Sequence, residues 1–266
     1  MKKRIIGIII MIIVFVPVII YGRNVFKLAV SILGLLALKE LLGLKELKRK
    51  TPSFVKFLSY ISTLFLILSK FNVDNYSLFL DYRIIAIMII FFLIPLIIYN
   101  DFDKYNIIDA LFILGIVLMI GFVFNLLIFI REYDIKTFIY ILSISTMTDS
   151  YALISGMLSG RKKLCPKISP KKSIVGLVVG VLCGTLIAST IYYITINDSV
   201  NLFALISITM FLSLISQLGD LIFSSIKRFY NVKDYSNIIF GHGGILDRFD
   251  SLIFVLIGYI FFISII

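Results

Sequence analysis

Apolar stretches of about bilayer length recur from one end of this chain to the other, and that recurrence excludes most folds before any single residue is considered. A water-soluble domain of 266 residues does not carry 60% hydrophobic residues or a mean hydropathy of +1.08. The sequence therefore describes an all-α, polytopic integral membrane protein. Nine transmembrane helices can be drawn, over residues 5–21, 26–43, 54–70, 83–99, 107–130, 137–158, 173–196, 201–226 and 251–266. The first follows Met1-Lys2-Lys3-Arg4, as a signal peptide would, but no small-x-small cleavage site comes after it and more spans follow at once. It is read as a retained span. The second and third are the weakest, the second because it carries Lys39 and Glu40 near its end. The eighth is overlong, so its last turns are expected to leave the hydrocarbon region.

The formal net charge of +11 would suggest nucleic acid in a soluble protein. In a membrane protein it has a simpler source, the excess of Lys and Arg on cytoplasmic loops, and no nucleic-acid partner is expected. Placing the loops alternately puts twenty of the 26 basic residues on the side of the N-terminus and six on the other. That asymmetry predicts a cytoplasmic N-terminus, an external C-terminus and a multi-pass protein of the cell membrane. It also places the two richly polar loops, 159–172 and 227–250, on the cytoplasmic side, where nucleotides are. The two cysteines, Cys165 and Cys183, lack metal-type spacing, so neither a disulfide nor a zinc site is expected.

Polar residues inside the spans are costly and so informative. The sixth span contains Asp149, preceded by Ser143, Ser145, Thr146 and Thr148. In the eighth, Ser213, Ser216, Asp220, Ser224 and Lys227 step by three, four, four and three, so they share one helical face. Such a stripe faces a cavity or another helix. An interhelical hydrogen-bond seam would explain the serines, whereas an aspartate running toward a Lys-Arg pair favours a functional site.

The densest polar block lies beyond it. It contains Lys227, Arg228, Lys233, Asp234, then Gly241-His242-Gly243-Gly244-Ile245-Leu246-Asp247-Arg248-Phe249-Asp250-Ser251. Asp247 and Asp250 are three apart and share a face if the helix has already begun. Carboxylates so placed suit Mg²⁺, which takes one or two of them plus substrate phosphates. Asp250 would as readily cap a helix N-terminus, a reading that suits Asp247, flanked by Gly243, Gly244 and Arg248, less well. The glycines let backbone N–H groups approach phosphate, or simply make a turn. His242, the only histidine, suits proton handling or a phosphate hydrogen bond. The loop from Arg161 to Ser173 also has two readings. It is either a topology determinant with affinity for anionic lipid, or a phosphate-binding loop stiffened by Pro166 and Pro170 and ending on Ser173 as a helix cap.

The block resembles the signature of the phosphatidate cytidylyltransferases, also called CDP-diacylglycerol synthases. The matching residues are Ser224, Ile226, Lys227, Arg228, Lys233, Asp234, Ser236, His242, Gly243, Gly244, Ile245, Asp247, Arg248, Phe249 and Asp250. Upstream, Gly219-Asp220, the Lys163–Ser173 loop and Asp149-Ser150 look like further family elements. The sequence departs from the family pattern at Phe240, where proline is usual, at Val175, where glutamate is usual, and at Tyr151, where glycine is usual. Residues 145–251 carry the resemblance.

The resemblance implies an enzyme that joins CTP to phosphatidate, releasing pyrophosphate, with membrane lipids around it. It implies N-terminal transmembrane helices over 1–136 and a catalytic transmembrane region over 137–266. Catalytic roles fall on Asp220, Lys227, Arg228, His242, Asp247 and Arg248. Substrate binding falls on Asp149, Lys167, Ser169, Lys172, Ser173, Ser216, Ser224, Lys233, Asp234, Gly243 and Gly244. The metal ligands would be Asp220, Asp247 and Asp250, holding Mg²⁺, with the number of metal ions open. A homodimer is suggested by analogy alone. Two other functions fit the same residues less well. One is a cytidylyltransferase for a different lipid phosphate. The other is an ion-coupled transporter using Asp149 and Asp220.

Overall fold

The computed structural model describes residues 13, 15–69, 82–238 and 243–262. These are overwhelmingly helical, and the helices fall close to where the apolar runs predicted them. They are α1 (Arg23–Glu46), α2 (Ser53–Leu68), α3 (Tyr82–Tyr99), α4 (Ile107–Tyr133), α5 (Ile135–Ser159), α6 (Ile174–Thr195), α7 (Leu202–Phe229) and α8 (Leu246–Tyr259). The expected first span lies mostly outside the described residues, of which 15–21 are helical. Among the described residues, α4, α6 and α7 are long and apolar enough to cross a membrane, and α2 and the 83–99 stretch of α3 are apolar but shorter. Large apolar side chains such as Ile97, Leu186 and Phe203 stand exposed on the helix surfaces. In water such faces would be a liability; in lipid they are the expected outer surface. The protein is a membrane protein.

Two refinements concern the polar loops. The eighth helix starts at Leu246, five residues before the expected boundary, so Asp247 and Asp250 are helical and both lie on its buried side. An aspartate in the first turn is favoured there by the free N–H groups of the helix end. The 159–172 loop is not irregular. It folds into an antiparallel hairpin of β1 (Lys163–Cys165) and β2 (Ser169–Ser173), with Cys165 opposite Ser169 and Lys163 opposite Ser173. Ser173 then caps α6, its Oγ accepting from the N–H of Gly176 at 3.0 Å, as its position before the helix predicted.

The chain divides into two compact units. The first comprises residues up to Phe129 together with Tyr235–Ile245. Within it, Asn125 of α4 is buried and its Nδ2 lies 2.7–2.9 Å from the carbonyls of Leu66, Ile67 and Ser69, satisfying the free C-terminal end of α2. At the end of α1, buried Lys45 pairs with Asp109 of α4 at 3.1 Å, and Arg49 reaches the same carboxylate at 3.2 Å. The helix runs on past Lys39 and Glu40, the residues that made its sequence signal weak.

The second unit holds Ile130–Asp234 and Leu246–Ile266. Its principal seam joins α5 to α6 through glycines spaced every four residues. Gly176, Gly180 and Gly184 press against Ala152 and Thr148 so closely that side chains would not fit. Tyr140 of α5 shares a buried 2.7 Å hydrogen bond with Thr209 of α7. Gly219 lets α7 approach the Asp250 carbonyl and Phe254 of α8. A Cβ on Gly180 would lie 2.7 Å from Ala152 Cβ and 2.8 Å from the Thr148 carbonyl. Gly180→Ala is therefore expected to cost about 1–3 kcal/mol, read as a lower thermal midpoint in detergent. Gly43→Ala, where a Cβ meets nothing within 4 Å, should leave that midpoint in place or raise it, since alanine suits a helix better than glycine.

Candidate active site

The polar stripe of α7 is real and it faces other elements of the second unit. Ser213 and Ser216 are fully buried, Ser224 and Lys227 nearly so, and Asp220 is the more open member, with 29% of its side chain exposed. From this stripe a chain of polar contacts spreads to α5, α8 and the hairpin. Lys172, at the end of β2, places Nζ 2.8 Å from Asp220 Oδ2 and donates to the Gln217 carbonyl and Oε1, each at 3.1 Å. All three ammonium protons are thereby used. Ser224 donates to the other oxygen of Asp220 at 3.2 Å. Gln217 passes the network on, its Nε2 donating to Asp149 Oδ1 at 3.2 Å.

Ser251 closes it from α8. Its Oγ donates to Asp149 Oδ2 at 2.7 Å and lies 2.8 Å from Ser145 Oγ. Ser251 has one hydroxyl proton and Asp149 accepts it, so Ser145 is the donor in the second contact. The Ser251 N–H donates to Asp250 Oδ1 at 2.9 Å. The carboxylates of Asp149, Asp220 and Asp250 lie close enough to act electrostatically on one another, with Lys172 and Lys227 as the compensating charges. Lys227 is tied directly to Asp247, Nζ to Oδ1 at 2.6 Å, with both side chains about nine-tenths buried.

The remaining predicted residues have other placements. Arg228 is exposed and straps the hairpin to the end of α7, Nε donating to the Ile168 carbonyl at 3.2 Å and Nη1 to the Val232 carbonyl at 3.0 Å. Lys167, Lys233, Asp234 and Arg248 stand on the surface, and Ser169 is half-buried in β2. Gly243 has φ 83°, a left-handed conformation that glycine adopts without strain. Gly244 is buried. His242 lies outside the described residues.

A family model described as "Cytidylyltransferase family" matches residues 2–266. The chain belongs to this family. Similar proteins include the phosphatidate cytidylyltransferase of Staphylococcus saprophyticus, 35% identical over 256 residues that make up 96% of each chain. Proteins of the same name from Staphylococcus aureus and Staphylococcus epidermidis are each 34% identical over the same share.

For a cytidylyltransferase the donor set is suited to a hard divalent cation. Among the described residues no three acidic, histidine or cysteine side chains converge as a closed cage. A cation that takes one or two carboxylates and completes its shell with phosphate oxygens needs no cage. Asp250 is the telling residue. It is buried near two other carboxylates, and its only hydrogen bond among the described residues is from one backbone N–H. Buried carboxylates are otherwise paired or metal-bound.

Sequence reasoning passed over Gln217, Ser145 and Ser251 as site residues, although each lies beside a residue it did select. Glu40 it noted only as a weakness in a span. An acid in an apolar helix is itself the signal that could have found it. Ser251→Ala removes the donor that joins α8 to Asp149. It is expected to cost about 1–3 kcal/mol, measured as a drop in the denaturation midpoint. Ser251→Thr, which keeps the hydroxyl, should recover most of it.

Proposed function

We propose that this cytidylyltransferase transfers CMP from CTP to phosphatidate, giving CDP-diacylglycerol and pyrophosphate. The observation that carries the reading is the polar network of Lys172, Asp220, Asp149, Ser251 and Asp250 beside the Lys227–Asp247 pair. A phosphate oxygen of the lipid forms a bond to the α-phosphorus of CTP. The bond from that phosphorus to the bridging oxygen breaks, and its electron pair leaves with pyrophosphate. The attacking phosphate is already anionic, so no strong base is required. What the reaction needs is relief of repulsion between two anions and a stabiliser for the charge that grows on the leaving group.

The residues supply this from two directions. Lys172 and Lys227 are held by carboxylates at the site, so their charges are positioned before substrate arrives. Arg228, Lys233, Arg248 and Lys167 meet the phosphates from exposed positions, and Ser173 with the N-terminal end of α6 adds backbone donors. Ser169, Asp234 and Ser216 shape the surroundings. Gly243 and Gly244 let backbone approach a phosphate, and His242 donates a hydrogen bond to one. Asp220, Asp247 and Asp250 would hold Mg²⁺, which when bound neutralises phosphate charge. Asp149 orients Gln217 and Ser251 along the nucleotide or lipid site.

The proposed topology has nine spans with the N-terminus in the cytoplasm, supported by the charge asymmetry of the loops. The hairpin and the 230–245 loop then face the CTP pool, while the diacylglycerol chains stay in the bilayer because withdrawing them costs about 0.8 kcal/mol per methylene. Cys165 in the hairpin gives a direct check. In a Cys183→Ser background, a membrane-impermeant maleimide should label inside-out vesicles and spare right-side-out ones. Labelling of right-side-out vesicles alone would reverse the topology.

The activity is tested with labelled CTP, Mg²⁺ and phosphatidate in detergent. CDP-lipid should appear and should vanish on chelation; competing lipid phosphates would reveal a different substrate. Asp247→Asn should lower kcat per folded, CTP-binding enzyme by about 10²–10³-fold, in addition to the stability it loses by leaving buried Lys227 without its partner. Full turnover in that variant would remove Asp247 from the site.

A further inference from the structure

Glu40 lies in α1, in the part of the chain where the sequence resemblance carried no motif. It is only 3% exposed. Its Oε1 accepts a hydrogen bond from Ser236 Oγ at 2.5 Å and another from the Ile245 N–H at 2.8 Å. Ser236 and Ile245 are the two ends of the segment that carries His242, Gly243 and Gly244. One carboxylate oxygen therefore holds both Ser236 and Ile245. All of these residues belong to the first compact unit.

Two further observations concern the described residues on either side. A Cβ on Gly244 would lie 2.5 Å from Glu40 Oε1 and 2.8 Å from Oε2, so the backbone there rests against the acid. Ser236 Oγ also accepts from the Ile238 N–H at 3.3 Å, which fixes the start of the turn while its proton goes to Glu40. The small residue at 236 and the second glycine of the Gly-Gly pair thus have one physical cause. A Cβ at 244 would press on the end of the Glu40 side chain and force it to shift, and the hydroxyl at 236 donates and accepts through one atom.

We propose that Glu40 is a positioning residue for the cytidylyltransferase reaction, holding Ser236, Gly244 and Ile245 so that the Gly243-Gly244 backbone is presented in one conformation. The inference rests on the functional reading above. An acid buried in an apolar helix is expensive, and helix packing alone does not require two bonds to the ends of one distant loop. The carboxylate does not touch substrate; it acts through the turn.

The test compares Glu40→Ala, Glu40→Gln and Ser236→Ala with wild type, by hydrogen exchange of the full-length protein in detergent and by turnover per CTP-binding site. In Glu40→Ala, exchange of the 236–246 segment should rise at least about tenfold, with α2 and α4 unchanged. Turnover per binding site should fall at least about tenfold. Glu40→Gln keeps an acceptor oxygen and should restore most of both. Ser236→Ala, which leaves the buried acid in place, should loosen the same segment. Unchanged exchange of the segment in Glu40→Ala, loosening spread equally over α2 and α4 in both Glu40→Ala and Ser236→Ala, or full turnover with a loosened turn would each overturn the proposal. Exchange is independent of substrate identity, so a wild-type protein that makes no CDP-lipid but shows the clasp would fail the functional reading alone.

Discussion

Carboxylates held among apolar helices must be matched by positive charge or hydrogen-bond donors, and this requirement organises the second unit. Lys227 and Asp247 are both about nine-tenths buried, with 2.6 Å between charged atoms. Removing one partner of such a pair costs about 3–5 kcal/mol, whereas replacing both with well-packed apolar residues is often neutral or stabilising. Stability alone would therefore favour losing the pair. Its presence beside three further carboxylates makes sense if positive charge must stand ready for an anionic substrate. Lys172 and Asp220 are more open, and solvent weakens what they contribute to stability.

The network depends in turn on how closely α5 and α6 approach. Gly176, Gly180 and Gly184 bring the α6 backbone against Ala152 and Thr148, and Asp149 follows Thr148 in α5. Ser173 caps the same helix and sits against Gly156 and Gly160. Lys172, one residue earlier, is thereby delivered from a rigid hairpin end to Gln217 and Asp220. A flexible loop would have had to lose entropy to hold a long lysine side chain in one geometry. The fold sets that position before any ligand binds.

Much of this was legible in the sequence because the relevant signals are periodic. Apolar runs located the helices, and the three-four-four-three spacing put Ser213, Ser216, Asp220, Ser224 and Lys227 on one buried face. Helical position also determined that Asp247 and Asp250 would be buried together once α8 was seen to start at Leu246. The hairpin was not legible. Its strands are three and five residues long and polar, with no alternation for a period-two pattern to reveal. The two partners of Glu40 were not legible either. They lie about two hundred residues away in the chain, and no local spacing encodes a pairing of that range. The same holds for Ser145 with Ser251, which meet only because α5 and α8 are neighbours.

The departure at Val175 shows how a single missing charge changes local physics without changing the fold. Where the family pattern has glutamate, the first turn of α6 would carry an acid near its free N–H groups, worth about 0.3–1 kcal/mol. Here the turn is secured by Ser173, whose Oγ takes the Gly176 N–H directly, so the helix still starts at Ile174. With no carboxylate in that turn, the positive end of the helix is left uncancelled beside Lys171 and Lys172. An anion arriving there meets Lys171 and a helix terminus with no acid in the first turn to repel it, while Lys172 is held by Asp220 and Gln217. The substitution therefore trades a small gain in helix stability for a more positive helix end. It is compatible with phosphate chemistry because Asp220 and Asp250 already supply the acidic groups deeper in the same unit.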